Sequence, residues 1–284
     1  MNIEELPWGL LLTITFIVGA SIGSFLNVVI YRMPKKMYRQ WQIEARSILE
    51  MPIDDDTIEP PVGIAWPPSS CPGCNQRIRP WHNLPIVGYL MLGGKCFDCK
   101  SPISLRYPFI EAVTGFIAVF LVWTYGLSPV SVALFGFSAT LLAAAMIDAD
   151  TTLLPDELTL PLMWAGLLIS LWSGWPLAPG DAIVGAAVGY LSLWSIYQVF
   201  KLITGKEGMG YGDFKLLAAI GAWTGWQELL TVILLSSVVG TILGVLQIVF
   251  KRMNRETPMP FGPYLAAAGW LAMMFGPALR EMIA

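Results

Sequence analysis

Hydrophobic positions in this chain gather into long runs, and those runs set the elements. A membrane-crossing helix needs about 20 largely apolar residues, and eight segments come close. The first is Leu10–Ile30, followed by a polar stretch from Tyr31 to Arg106. Seven more come in quick succession: Tyr107–Tyr125, Ser128–Ile147, Leu158–Trp172, Ala182–Phe200, Phe214–Trp226, Leu229–Phe250 and Phe261–Pro277. The sixth is short enough to be a tilted half-span or a helix buried among the others. Gly and Pro recur within and between the segments, as in membrane helices. The pattern predicts an all-α polytopic membrane protein with about eight transmembrane helices. Its divisions are a first span (1–31), a polar domain with linker (32–106) and a polytopic core (107–284).

Composition agrees. The 284 residues are 55% hydrophobic and 13% charged, with a mean hydropathy of +0.62, against about 25% charged in a soluble domain. Lys and Arg are scattered over loop positions without a basic stripe, so nothing points to nucleic acid. The first run continues without a small-residue cleavage site and reads as a retained span, not a removed signal peptide.

Basic residues orient the chain. Arg32, Lys35, Lys36 and Arg39 follow the first span, and Lys95, Lys100 and Arg106 precede the second. Lys201 and Lys206 follow the fifth, and Lys251, Arg252 and Arg255 follow the seventh. The opposite loops, near Gly126, Ser173–Gly180 and Thr224–Gln227, hold neither Lys nor Arg. The polar domain is therefore expected in the cytoplasm, with both termini outside.

All four cysteines lie in that domain, as Cys71-Pro72-Gly73-Cys74 and Cys96-Phe97-Asp98-Cys99. Two Cys-x-x-Cys knuckles about 20 residues apart read as a tetrathiolate Zn2+ site. Cytoplasmic placement argues against two disulfides. Four thiolates leave no open position for water, so the zinc is expected to staple a small domain. Gly73 suits the tight turn of its knuckle. His82, the one histidine, is expected to be an ordinary loop residue, and residues 51–68, with Asp54-Asp55-Asp56, a solvated linker.

Two aspartates stand at the rims of apolar segments: Asp148, in Ile147-Asp148-Ala149-Asp150, and Asp213, in Gly210-Tyr211-Gly212-Asp213. A carboxylate there is costly and marks function by default. The orientation puts both on the cytoplasmic face. Water attacks an amide carbonyl readily when one carboxylate takes its proton and a protonated partner hydrogen-bonds the carbonyl oxygen. Two close carboxyls do not easily both ionise, so such a pair holds one proton between them. Gly210 and Gly212 supply a bend with little bulk, and Pro155 redirects the chain after Asp148. The plainer reading is that these acids cap helices or face water. Asp156 fits a helix N-cap before Glu157, Asp213 gains from a helix dipole, and Lys215 is a possible partner for it.

The chain resembles the bacterial type IV prepilin peptidases, membrane aspartyl proteases with a Gly-x-Gly-Asp motif. The resemblance is carried by Gly23-Ser24-Phe25-Leu26-Asn27-Val28-Val29-Ile30-Tyr31-Arg32, the double Cys-x-x-Cys, and Ser101-Pro102-Ile103-Ser104-Leu105-Arg106-Tyr107-Pro108 with Glu111. Ile147-Asp148 with Leu154-Pro155-Asp156, Gly210-Tyr211-Gly212-Asp213 and Pro260-Phe261-Gly262-Pro263-Tyr264 complete it. It implies cleavage of prepilin or pseudopilin leaders after glycine on the cytoplasmic side of the inner membrane. N-methylation of the new terminus with S-adenosylmethionine would follow. It maps the catalytic pair onto Asp148 and Asp213, choosing Asp148 over Asp150 and Asp156, and ties methylation to Gly94-Lys95. Single-function members lack the cysteine module, so its presence implies both activities. No Gly-x-Gly-x-x-Gly follows a strand, so the methyl-donor pocket rests on the resemblance alone. Two competing classes remain: a transporter whose membrane carboxylates carry protons or cations, and a non-catalytic scaffold of a secretion complex.

Overall fold

The computed structural model describes residues 7–51, 63–250 and 259–283. Asp54-Asp55-Asp56 of the expected linker, and Lys251, Arg252 and Arg255, lie outside the described residues. Among the described residues nine α-helices follow in order: α1 Trp8–Ile48, α2 Val87–Met91, α3 Arg106–Tyr125, α4 Pro129–Thr151, α5 Asp156–Ile169, α6 Pro179–Thr204, α7 Tyr211–Thr224, α8 Leu229–Val249 and α9 Gly262–Ile283. Among the described residues there is no strand, only two isolated antiparallel bridges, Ser70 with Arg77 and Lys95 with Pro102.

Among the described residues, five helices are long and apolar enough to cross a membrane: α1, α3, α4, α6 and the helix over 226–247. The expected fourth and sixth spans are helices of 14 residues each, α5 and α7, about 21 Å long against a hydrocarbon core of about 30 Å. Pro155 and Gly210 precede them, and Gly225 at φ +83° ends α7, so turn-forming residues bound them. The first helix is longer than its apolar run. It continues through Pro34 to Ile48, 41 residues in all, because Lys35–Ile48 contains good helix formers and no turn residue.

The chain divides into two compact units, 1–139 and 140–284. In the first, α1 packs on α3 through small residues. A Cβ on Gly19 would lie 2.7 Å from the Ala118 Cβ, and one on Gly23 would lie 2.8 Å from the Glu111 Cα. Such close backbone approach is how apolar helices gain packing energy where lipid competes equally for side chains. Asn27 Nδ2 donates to the Tyr107 carbonyl at 3.2 Å, and Arg32 Nη1 to the carbonyls of Gly63 and Ile64 at 3.0 and 3.3 Å.

In the second unit α7 is the central helix. Ten of its 14 residues are buried, from Asp213 through Trp223, leaving out Lys215. It packs against α5, α6 and α9. Its Trp223 Nε1 donates to the Leu162 carbonyl of α5 at 2.8 Å. Gly185 and Gly189 of α6 meet the α7 backbone at Gly221 and at Leu217–Ala218, where no Cβ fits.

Candidate functional site

In the first unit the four cysteine sulfurs lie within 4.8 Å of one another. The two knuckles are built alike. The N–H of Cys71 donates to the Gln76 carbonyl at 2.9 Å, and that of Cys96 to the Ser101 carbonyl at 2.8 Å. The left-handed residue that closes each turn follows the second cysteine: Asn75 at φ +56° and Lys100 at φ +59°. Gly73, expected to serve the turn by its flexibility, serves by its size: a Cβ there would come 3.1 Å from Ser101 Oγ and 3.6 Å from Cys99 Sγ.

The cluster fits a tetrahedral metal. Zinc–thiolate bonds of about 2.3 Å put neighbouring sulfurs about 3.8 Å apart, and Cys71 Sγ lies 3.7 Å from Cys99 Sγ. Ser101 Oγ sits 3.1 Å from Cys99 Sγ and 3.6 Å from Cys71 Sγ. Its hydroxyl, with the N–H groups of Gly73 and Cys74, brings the Cys71 thiol down to about 6, toward the thiolate a metal needs. His82 is not in the cluster. It lies in a 3-10 turn, Pro80–Asn83, its ring 5.1 Å from that of Phe97.

Gly94 and Lys95 sit in the turn before the second knuckle. Gly94 has φ +69°, and a Cβ there would fall 2.7 Å from the Tyr89 hydroxyl, so packing alone accounts for this glycine. Lys95 is exposed. The turn does not by itself enclose a nucleoside.

Glu111 was legible only as part of a motif. It is buried in the second turn of α3, and its Oε2 accepts the N–H of Ile86 at 2.7 Å. Ile86 has φ +62°, a genuine outlier for a β-branched residue. The carboxylate thus anchors the strained residue from which α2 starts.

In the second unit, Asp148 and Asp213 are both buried, 4% and 7% exposed, and lie close enough for the charge of Asp148 to act on Asp213. Asp148 occupies the last turn of α4, which ends at left-handed Thr152, whose N–H bonds the Asp148 carbonyl at 2.8 Å. Asp148 Oδ2 accepts the Gly262 N–H at 2.8 Å. Asp213 is the third residue of α7, beginning after Gly210. Its Oδ1 is buried without a hydrogen-bond partner. Gly210 faces Asp213, a Cβ there standing 3.8 Å from Oδ2, whereas a Cβ on Gly212 would strike the Leu154 Cβ at 2.6 Å. The bend therefore admits a carboxylate on one side and the 153–155 turn on the other.

The other acids are elsewhere. Asp150 is exposed. Asp156 is the first residue of α5 rather than its N-cap, which is Pro155 without a side-chain cap. It is paired with Lys215, so Lys215 is not the partner of Asp213. Aromatic rings next to Asp213 in the chain meet Tyr197, a residue that sequence reasoning missed. Tyr211 and Phe214 pack with Tyr197 of α6, ring centroids 5.3 to 5.6 Å apart. Tyr197 accepts from Lys201 Nζ at 3.3 Å, and Lys201 also binds Glu207 at 2.8 Å, tying α6 to the loop that leads to Gly210.

Among the described residues, the chain thus combines apolar helices of membrane-crossing length, two buried carboxylates in one unit, and a four-cysteine cluster that could hold a metal ion. The Bacterial Peptidase A24 N-terminal domain matches residues 17–125, and the Type IV leader peptidase family matches residues 134–245. A protein of Pseudomonas aeruginosa named prepilin leader peptidase/N-methyltransferase is 49% identical, covering 92% of this chain and 89% of its own. Proteins of the same name from Stutzerimonas stutzeri and Aeromonas hydrophila are 50% and 48% identical, over 92% and 97% of this chain and 89% and 94% of theirs. The chain belongs to the type IV leader peptidase family. No solved structure matches it.

Proposed function

We propose that this protein cleaves the leader from type IV prepilins or type II secretion pseudopilins and then N-methylates the new N-terminal residue. The observation that carries this reading is the burial of Asp148 and Asp213, on separate helices of one unit, inside the segment matched by the family. The relatives' shared name supports both activities.

Asp148 and Asp213 are the catalytic pair. They hold one proton between them. Water placed at the pair loses a proton to the ionised member while the protonated member hydrogen-bonds the scissile carbonyl oxygen. The tetrahedral carbon then collapses, and the leaving amine takes a proton from the pair. The pair titrates as a unit. Gly210, with little beside it but Asp213, lets the substrate backbone approach, whereas Gly212 packs on Leu154, and Pro155 directs the chain away from the site.

Cys71, Cys74, Cys96 and Cys99 would hold Zn2+, which supplies no open coordination position and serves to fold the module. S-adenosylmethionine would supply an electrophilic methyl group to the new terminal amine. Gly94 and Lys95 are the motif residues tied to that activity, and no step is routed through them. The chain is read with about eight crossings, a first span (1–31), a cytoplasmic zinc domain (32–106) and a peptidase core (107–284). It would sit in lipid of the bacterial inner membrane, with the site toward the cytoplasm.

A transporter would show ion flux in liposomes and no proteolysis, and a scaffold would tolerate Asn at both aspartates. Purified protein with a precursor whose leader ends in glycine, followed by mass spectrometry with and without methyl donor, separates the three. Cleavage should vanish in Asp148→Asn and Asp213→Asn while zinc content stays intact. Normal processing by either variant would defeat the assignment.

A further inference from the structure

We infer that the amide of Gly262 is a positioning group for Asp148, so that the first turn of α9 completes the cleavage site. This rests on the reading of Asp148 and Asp213 as the cleaving pair.

The first N–H groups of a helix have no partner within it and must find one elsewhere. At the start of α9 this demand falls on one residue. Pro263 has no N–H. Tyr264 and Leu265 both donate to the Phe261 carbonyl at 3.1 Å. Gly262 donates instead to Asp148 Oδ2, at 2.8 Å, in a buried contact between residues 114 positions apart. An N–H at the positive end of a helix is well suited to a carboxylate.

Sterics make the contact specific to glycine. A Cβ at position 262 would lie 2.7 Å from Asp148 Oδ2, 3.0 Å from its Cγ and 3.2 Å from its Cβ. No L side chain shares that space with the carboxylate in its present rotamer. The contact therefore depends on an N–H that is present and a side chain that is missing. It commits Oδ2 and sets the rotation of the carboxyl group. Asp213 has no such clamp on Oδ1, which is buried and unpartnered. The two carboxyls are thus held differently: Asp148 Oδ2 is fixed by the Gly262 N–H, whereas Asp213 Oδ1 has no hydrogen-bond partner among the described residues.

Two substitutions in the full-length enzyme test this. Gly262→Ala keeps the N–H and adds the Cβ. Gly262→Pro also removes the N–H, at a first-turn position where proline is tolerated. A carboxyl displaced by about 1 Å costs on the order of a hundredfold. Both variants should therefore lose about that factor in kcat for cleavage, with KM within about twofold of the parent. Methylation of a substrate supplied already cut should be unchanged, which a fold defect would not allow. Normal kcat in both variants, a loss expressed in KM instead, or an equal fall in methylation would each overturn the inference. Asp148→Asn is assayed beside them. If it cleaves, the reading of the pair fails. If it is inactive while the Gly262 variants cleave normally, only the role of Gly262 fails.

Discussion

Lys215 binds Asp156, its Nζ 2.7 Å from both carboxylate oxygens, and so joins the start of α7 to the start of α5. The acid two positions before Lys215 is left without this cation, and Asp156 is occupied outside the buried pair. The two side chains are 29% and 51% exposed, and an ion pair of that kind contributes about 1 kcal/mol or less. Asp156→Asn and Lys215→Met should each lower the thermal midpoint slightly and leave the cleavage rate within about threefold, less than 1 kcal/mol of barrier. A loss in Asp156→Asn as deep as in Asp213→Asn would place Asp156 in the site.

Gly212 and Leu154 are in contact at the limit of their size, and that contact sets how α7 begins. Gly212→Ala forces the 153–155 turn and the first turn of α7 apart, an overpacking cost of about 1–3 kcal/mol. The single variant should be less stable and slower in cleavage. Adding Leu154→Ala should recover part of both, because the shorter side chain makes room for the new methyl. A double-mutant cycle on thermal stability and kcat measures this coupling. Purely additive losses would mean that Gly212 is needed for another reason.

Glu111 holds the N–H of a residue whose backbone is itself strained. Glu111→Ala strands that half-buried donor, at a cost of about 1 kcal/mol. The turn over Leu84–Met91 should open more often, seen as faster hydrogen exchange at Ile86 and its neighbours. Glu111→Gln keeps an acceptor oxygen and should exchange much closer to the parent. Ile86→Gly removes the strain at φ +62° and should offset part of the Glu111→Ala defect. Equal exchange in all three variants would show that the contact does not anchor the turn.

The sulfur cluster predicts a metal-dependent module. Removal of the metal by a chelator, or Cys71→Ser, should expose residues 63–105 to limited proteolysis. Metal analysis of the parent should give one zinc per chain, and Cys71→Ser should hold less. Ser101→Ala removes the hydroxyl beside Cys71 and Cys99, and should weaken metal affinity by about 10- to 100-fold, as loss of a supporting hydrogen bond does elsewhere. Unchanged zinc content in Cys71→Ser would remove that residue from the ligand set.

The helical class and the cysteine cluster were legible because each follows from short-range pattern: runs of apolar residues and two identical Cys-x-x-Cys spacings. What could not be read were contacts between distant residues. Nothing in Pro260-Phe261-Gly262-Pro263 says that its one spare N–H meets Asp148. The identity of Lys215 does not say which of two nearby acids it reaches. Helix ends depart from the apolar runs where hydrophobicity and helicity part company: polar residues extend α1 to Ile48, whereas α5 and α7, bounded by Pro155, Gly210 and Gly225, keep nearly the length of their apolar runs at 14 residues each.

The glycine seam between α6 and α7 has a consequence for the lipid around it. Where Gly185 and Gly189 lie against Gly221 and Leu217, main chain rests on main chain, with no flexible side chain between to take up sliding. The depth of Asp213 along α6 is therefore set by backbone-to-backbone packing. In thicker or thinner bilayers the mismatch must be taken up by tilt of the helices or deformation of the lipid, so the plane at which a substrate is cut travels with the protein rather than with the membrane.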